Sequence, residues 1–481
     1  MRIKLFSVCV TFLFATVTSG DDLPELGDGT VDELSRSSEI ALGAQIMRRI
    51  RGANSYVSDP EVTQYLNDLG YKLVSSGTEP GVDFDFFLIN DNAINAFALP
   101  GGHIGVHSGL FLSSGNESEL AGVISHEIAH VQQRHIARML AVQRKLGFAS
   151  LAGLAVAILA SRSNAQVAGA AVATSQAAPL QAMLSFSRDH EREADRIGIT
   201  ILSSAGFDPS SSVNFFDRLY RETRIYQGNL PGYLQTHPLT LDRMADLQAR
   251  LASLDSHPVA NSLHYMLVKS RIYVLVEGAA ESKERFDALA ERDEFIDQVA
   301  GRYGRAVSLL SLKVVSKDQE SVLARDVGWL LSRFPNDAMI LALAAESKMS
   351  LGDLIGALGD YEFALKMYPS RLSLVRGKAI VLQKMGDAME VEKFLNAALR
   401  NPSLARDRIL YEFRAEAYRS MGYFMKFHFD LSMSAYLSGN LDGAINQLKI
   451  ASDLDTGDFY FRSQLDSRLK DLLDEKAALR E

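Results

Sequence analysis

Apolar residues recur at every third or fourth position through "VDELSRSSEIALGAQIMRRIRG" (31–52) and "DPEVTQYLNDLGYKLVSS" (59–76), which predicts two helices. The period then shortens. "VDFDFFLIN" and "AINAFALPGGHIGVHSGLF" are rich in aromatic and β-branched residues and are broken by Pro100-Gly101-Gly102, the pattern of strands or a hairpin. Helical spacing returns in "GNESELAGVISHEIAHVQQRHIARML", where Asn116 can cap a helix whose third residue is Glu119. A further charged helix, "SRDHEREADRIGITILSS", ends before Gly206 and Pro209.

Between these two helices lies an apolar tract, 146–186. "GFASLAGLAVAILA" (147–160) and "AQVAGAAVATSQAAPLQAMLSF" (165–186) carry no charge. The first run is too short for the roughly 20 residues that span a bilayer. The tract reads as a packed hydrophobic hairpin or as an element that covers the active site or makes peripheral membrane contact.

"LASLDSHPVANS" (251–262) has the composition of a linker, and the chain beyond it repeats. Gly352, Ala357, Tyr361 and Ala364 recur, 34 residues on, as Gly386, Val391, Leu395 and Ala398, and once more as Gly439, Ala444, Leu448 and Ala451. A 34-residue period with a turn glycine and small residues where two helices meet is the tetratricopeptide pattern, an array whose concave face binds partners. The stretch 263–330 is helical but irregular and reads as degenerate repeats. The expected division is a signal peptide at 1–20, a catalytic domain at 21–256 and a repeat domain at 257–481.

The chain has a net charge of −9, which speaks against nucleic acid as a partner, because phosphate contacts need a basic face. "MRIKLFSVCVTFLFATVTSG" has Arg2 and Lys4, an apolar run and then small residues, the order of a cleaved secretory signal. Its removal leaves 48 basic against 59 acidic residues. It also removes Cys9, the only cysteine. The mature protein then has neither disulfides nor a thiolate metal site, and a catalytic metal must be held by His and carboxylate.

His126 and His130, four apart in "VISHEIAHVQQRH", lie on one face of the predicted helix, so both imidazoles can reach one zinc ion. Glu127 lies about 100° round from His126, facing the metal's open position. There it can take a proton from an activated water and deliver it to the leaving amine. The bland reading is an amphipathic helix that happens to carry histidines. A third ligand is offered by "SRDHEREAD", where Glu191 and Asp195 share a face and Glu193 points roughly the other way. A Glu ligand with an Asp one turn later, accepting from a ligand imidazole, is a sensible pair; the alternative is a solvated charged helix. His135, nine residues from His126, falls on the far side of a continuous helix and reads as structural or as a surface residue. His103 and His107 flank the glycine turn and could lie near the cleft.

"HEIAH", followed 61 residues after its second His by Glu191 in "SRDHEREAD", resembles the zinc-peptidase family that contains HtpX and the CAAX prenyl proteases. Within that family, "NAFALPGGHIGVHSGLF" and the repeat tail are similar to periplasmic members that serve outer-membrane β-barrel assembly. The resemblance implies one Zn2+ per chain held by His126, His130 and Glu191, Glu127 as catalytic base, and Asp195 supporting a ligand. The fold it implies is mostly α: an α+β gluzincin-like metalloprotease domain with a small sheet, followed by an α-solenoid of tetratricopeptide-type helix pairs. It also implies periplasmic work on misfolded or stalled envelope proteins, with the β-barrel assembly machinery as a partner.

"QTHPLTLDR" places His237 before Pro238, with Arg243 six residues on. In the resembling proteases such a His can fill the metal's fourth position and hold the enzyme latent. Chemistry alone also allows a neutral His that stabilises the oxyanion of the tetrahedral intermediate. Asn95, Ala96 and Phe97 belong to a strand that could bind extended substrate along its edge. A second class of function remains in view, a chaperone-like or scaffold protein in which the array binds and the protease site stays latent.

Overall fold

The computed structural model describes residues 35–77, 82–142, 187–225, 232–312, 316–454 and 458–478. The expected signal segment, with Cys9, and the whole of the apolar tract 146–186 lie outside the described residues. No helix among the described residues is long and apolar enough to cross a membrane.

The two leading helices form as predicted, α1 (Arg36–Arg51) and α2 (Pro60–Val74). Ser35 and Asp59 cap them, and Pro60 opens α2 where its missing N–H costs nothing. A four-stranded sheet is built from β1 (Tyr56–Val57), β2 (Asp85–Ile89), β3 (Ala96–Leu99) and β4 (His103–His107), in the order β1-β2-β4-β3. β3 and β4 are an antiparallel hairpin closed by Pro100-Gly101-Gly102, while β2 runs parallel to β4. β3 is therefore an edge strand.

A short α3 (Ser108–Ser113) leads into α4 (Glu117–Gln132), α5 (His135–Val142), α6 (Arg188–Ser204), α7 (Pro209–Ile225), α8 (Gly232–Thr236) and α9 (Leu241–Leu251). Phe84, just before β2, and Phe86, Leu88, Ile104 and Val106 of the sheet pack with Leu66, Leu69, Leu110, Phe111, Ile124 and Ile128 in one core. Each such side chain, withdrawn from water, contributes about 1.5–3 kcal/mol. The same core runs on without a break through Tyr265, Leu267, Val299 and Leu330, so the first helices of the C-terminal array share it.

From α10 (Leu263–Glu277) to Ala478 the described residues are mainly helical, each helix packed on its neighbours. Gly352, Gly386 and Gly439 adopt φ of 85°, 78° and 85° at the turns between successive helices. Ala357, Tyr361, Ala364, Leu395, Ala444, Leu448 and Ala451 are buried at the helix contacts, where the repeat spacing puts them. The array packs back against the N-terminal helices. Asp59 pairs with Arg271 at 2.6 Å, Glu61 with Arg371, and Arg48 of α1 with Glu475 at 2.6 Å near the last turn. Gly439 shows how close this contact is, since a Cβ there would lie 2.0 Å from the Arg48 carbonyl oxygen.

Candidate metal centre

α4 passes through the middle of the N-terminal core with nearly every residue buried. Asn116 accepts from the Glu119 N–H at 2.9 Å, and Glu119 reaches back to the Gly115 N–H, so the capping box closes one residue early. Arg218 grips the same Glu119 with two bonds of 2.7 and 2.8 Å. These contacts anchor the helix three turns before His130.

α6 crosses α4 at His126, where Gly198 would bring any Cβ within 3.1 Å of the His126 Cα. A side chain there would push the helices apart. The close crossing lays Glu191 and Asp195 on the two imidazoles. His126 Nε2 and His130 Nε2 are 3.0 Å apart, and Glu191 Oε1 is 3.4 Å from His130 Nε2. His237 Nδ1, arriving from the segment after α8, is 2.9 Å from Glu191 Oε1 and 3.4 Å from His126 Nε2. The four donor atoms all lie within 4.8 Å of one another, and all four residues are buried.

These separations match a cation. Four ligands about 2.0–2.1 Å from a tetrahedral zinc stand roughly 3.3 Å from each other. Two facing imidazole nitrogens share at most one hydrogen without repulsion, so such lone pairs converge profitably only on positive charge. The electrostatics agree. Burial opposes charge on His126, but hydrogen bonds to Asp195 and Glu191 outweigh it and lift its pKa to about 10. Burial would raise the Glu191 carboxyl, yet the surrounding histidines hold it well below the usual range.

Arg243 organises the carboxylates. It is 2% exposed, and its Nε and Nη2 bind Asp195 at 2.7 and 2.8 Å. Nη1 donates to the Pro238 carbonyl at 2.8 Å and lies 2.8 Å from Glu191 Oε2. Asp195 is thus fixed with Oδ1 3.1 Å from His126 Nδ1, on the side of the ring away from the other donors.

Glu127 is fully buried, and no side chain among the described residues donates a hydrogen bond to its carboxylate. Burial raises its pKa; the opposing influences are His237, His126 and the Ala98 backbone N–H. His237 Nε2 stands 3.5 Å from it.

Residues 60–251 match the profile described as Peptidase family M48. The chain is 35% identical over 334 residues to the Beta-barrel assembly-enhancing protease of Escherichia coli (strain K12), covering 69% of this chain and 67% of that protein. The chain belongs to peptidase family M48. To the protein of the same name in Yersinia pestis it is 38% identical over 296 residues, 61% of this chain and 60% of the relative. That match spans about three fifths of the relative's length. Mitochondrial metalloendopeptidase OMA1 of Arabidopsis thaliana is 34% identical over 159 residues, 33% of this chain and 30% of the plant protein. M48 peptidases use zinc, and the buried His-His-Glu-His group is a place for one such ion.

In this M48 chain the structure brings together His126, His130, Glu191 and His237, with Glu127 and Asp195 beside them. It leaves His103 and His107 out of the group. His103 Nδ1 is 3.2 Å from Asp85, and His107 packs edge-on against Phe97. His135 corrects the expectation from an unbroken helix. Arg134 adopts a left-handed φ of 51°, which ends α4 and swings His135 beneath His130. His135 is fully buried, not a surface residue. Glu193, although turned from the metal donors, meets His135 at 3.0 Å. Sequence reasoning also assigned no role to Arg243 or to Tyr233, whose ring stacks on His237 at 4.7 Å. Neither carries a motif; an arginine six residues after a His-Pro pair was the only signal.

Asn95 precedes β3, the edge strand, and Ala96 and Phe97 begin it. His107 N–H bonds the Asn95 carbonyl, which makes 95, 97 and 99 the residues whose backbone groups face β4. Those of Ile94, Ala96 and Ala98 face outward. Tyr233 N–H caps the Ile94 carbonyl at 3.0 Å, so the turn bearing His237 is seated at the head of this edge.

Proposed function

We propose that this chain is a periplasmic zinc endopeptidase that degrades misfolded or stalled envelope proteins. Its helical array, read as tetratricopeptide repeats over 257–481, recruits substrates or the outer-membrane assembly machinery. The observation that carries the peptidase reading is the buried four-donor group with the buried Glu127 carboxylate at its side. Membership in M48 and the names of the bacterial relatives support the envelope role.

In this reading His126, His130 and Glu191 hold the metal. A zinc ion there supplies Lewis acidity to the scissile carbonyl and to water. Glu127 takes the water's proton and passes it to the leaving nitrogen. Asp195, braced by Arg243, orients His126. The outward backbone groups of Ala96 and Ala98 bind an extended substrate, which allows many sequences to be cut.

His237 closes the site at rest by taking the fourth position. It also supports the second reading, a binding protein with a latent protease site. The test is degradation of unfolded casein by zinc-loaded protein, with chelator as the control. The chelator is expected to abolish cleavage and added zinc to restore it. His237→Ala is expected to raise the rate roughly tenfold if nine in ten resting molecules are closed. A lowered rate assigns His237 to oxyanion stabilisation, and an unchanged one removes both roles.

Ala96→Pro tests the edge. It deletes an N–H that does not face β4, so the hairpin ladder keeps its bonds, whereas Phe97→Pro breaks it. The expected loss for Ala96→Pro is about tenfold in kcat/KM, the worth of one backbone hydrogen bond. A folded Ala96→Pro protein that cuts casein normally excludes this strand.

A further inference from the structure

We propose that His135 and Glu193 form a positioning relay that orients the metal ligand His130. The proposal rests on the metal-site reading above. His130 points Nε2 at the metal donors, and its Nδ1 lies 2.8 Å from His135 Nδ1. His135 Nε2 lies in turn 3.0 Å from Glu193 Oε2. The order of groups sets the tautomers. A ligand imidazole coordinates through a bare Nε2 and carries its hydrogen on Nδ1. His130 therefore donates to His135, and His135 donates through Nε2–H to the carboxylate. Glu193 ends the chain as the only pure acceptor.

Four further observations show that this arrangement is built. Arg134 holds a backbone conformation that non-glycine residues rarely adopt, and this residue is the one that returns His135 to His130. The Arg134 side chain is tied down by Glu39 at 2.8 Å, which stabilises the turn. His190 stacks on the His135 ring at 4.4 Å and 15°, and Arg138 fixes Glu193 at 3.1 Å. His126 is oriented by Asp195 and Arg243; His130 receives its counterpart from a second histidine.

The relay is a positioning device, so its test reads metal binding as well as turnover. Zinc affinity is measured by chelator competition on metal-free protein, together with the visible spectrum of the cobalt-substituted form. His135→Leu, which fills the space without an acceptor, is expected to weaken zinc binding 10–100-fold and to alter the cobalt bands. His135→Asn offers an acceptor oxygen near the Nδ1 position and is expected to stay within a few-fold of the unaltered chain. Glu193→Gln, at a part-exposed site that tolerates the change, is expected to weaken binding about tenfold. Equal affinities for the Leu and Asn variants, or an unchanged spectrum with Glu193→Gln, overturn the relay. An unaltered chain that binds no zinc overturns the metal-site reading itself, a separate outcome.

Discussion

Glu127→Gln is expected to bind zinc as the unaltered chain does and to lose casein hydrolysis by a factor of about 10²–10⁴. The substitution keeps the shape of the side chain and removes only its ability to accept and return a proton. No side chain among the described residues donates a hydrogen bond to that carboxylate, so Gln leaves the surrounding side-chain bonds in place. Stability should not fall. Burial raises the Glu127 pKa in the folded state. The folded metal-free protein therefore holds more protons than the unfolded chain above pH 4.5, and it loses stability as pH climbs through that window. Gln removes this penalty, so the metal-free variant should show a weaker decline. Full hydrolysis by a zinc-loaded Glu127→Gln protein would falsify the assignment of the base.

Arg243→Leu is expected to cost about 3–5 kcal/mol, because it strips the partner from a buried carboxylate rather than removing a pair. For a catalytic unit of this size the melting temperature should drop by roughly 10 °C. Arg243→Lys keeps the charge but cannot bridge Asp195 with two parallel bonds, and should fall between the two. Adding Asp195→Asn to Arg243→Leu should recover part of the loss, since the orphaned charge goes with it. Zinc affinity should fall with Arg243→Leu as well, through the freed Asp195 and the loosened Pro238 segment. A melting temperature within about 2 °C of the unaltered chain, by calorimetry near neutral pH, would show that the pair does not hold the site together.

The legible part of this molecule is the part set by short periods. His126 and His130 share a face because four residues make about one helical turn, and the place of Glu127 comes from the same geometry. The strand pattern around β2, β3 and β4, the 34-residue step from Gly352 to Gly386 and the same internal spacing again from Gly439 are equally local. A turn glycine and the small residues of each helix pair constrain one another within a few tens of residues. These features stand in the sequence whatever the rest of the chain does.

Other features hang on contacts between distant segments. His237 meets Glu191 across 46 residues and His126 across 111. Glu191 reaches the histidines because Gly198 permits a close helix crossing, and a glycine within a helix announces no such purpose. The role of Arg243 depends on where the segment after α8 returns. His135 marks the boundary most clearly. Counting along an unbroken helix puts it on the far side, and one left-handed residue at Arg134 reverses that. Periodicity is a property of neighbours along the chain and can be read there. Which faces meet is settled by packing, where the gain from burying apolar surface selects one arrangement and can impose about 1–3 kcal/mol of local strain to reach it.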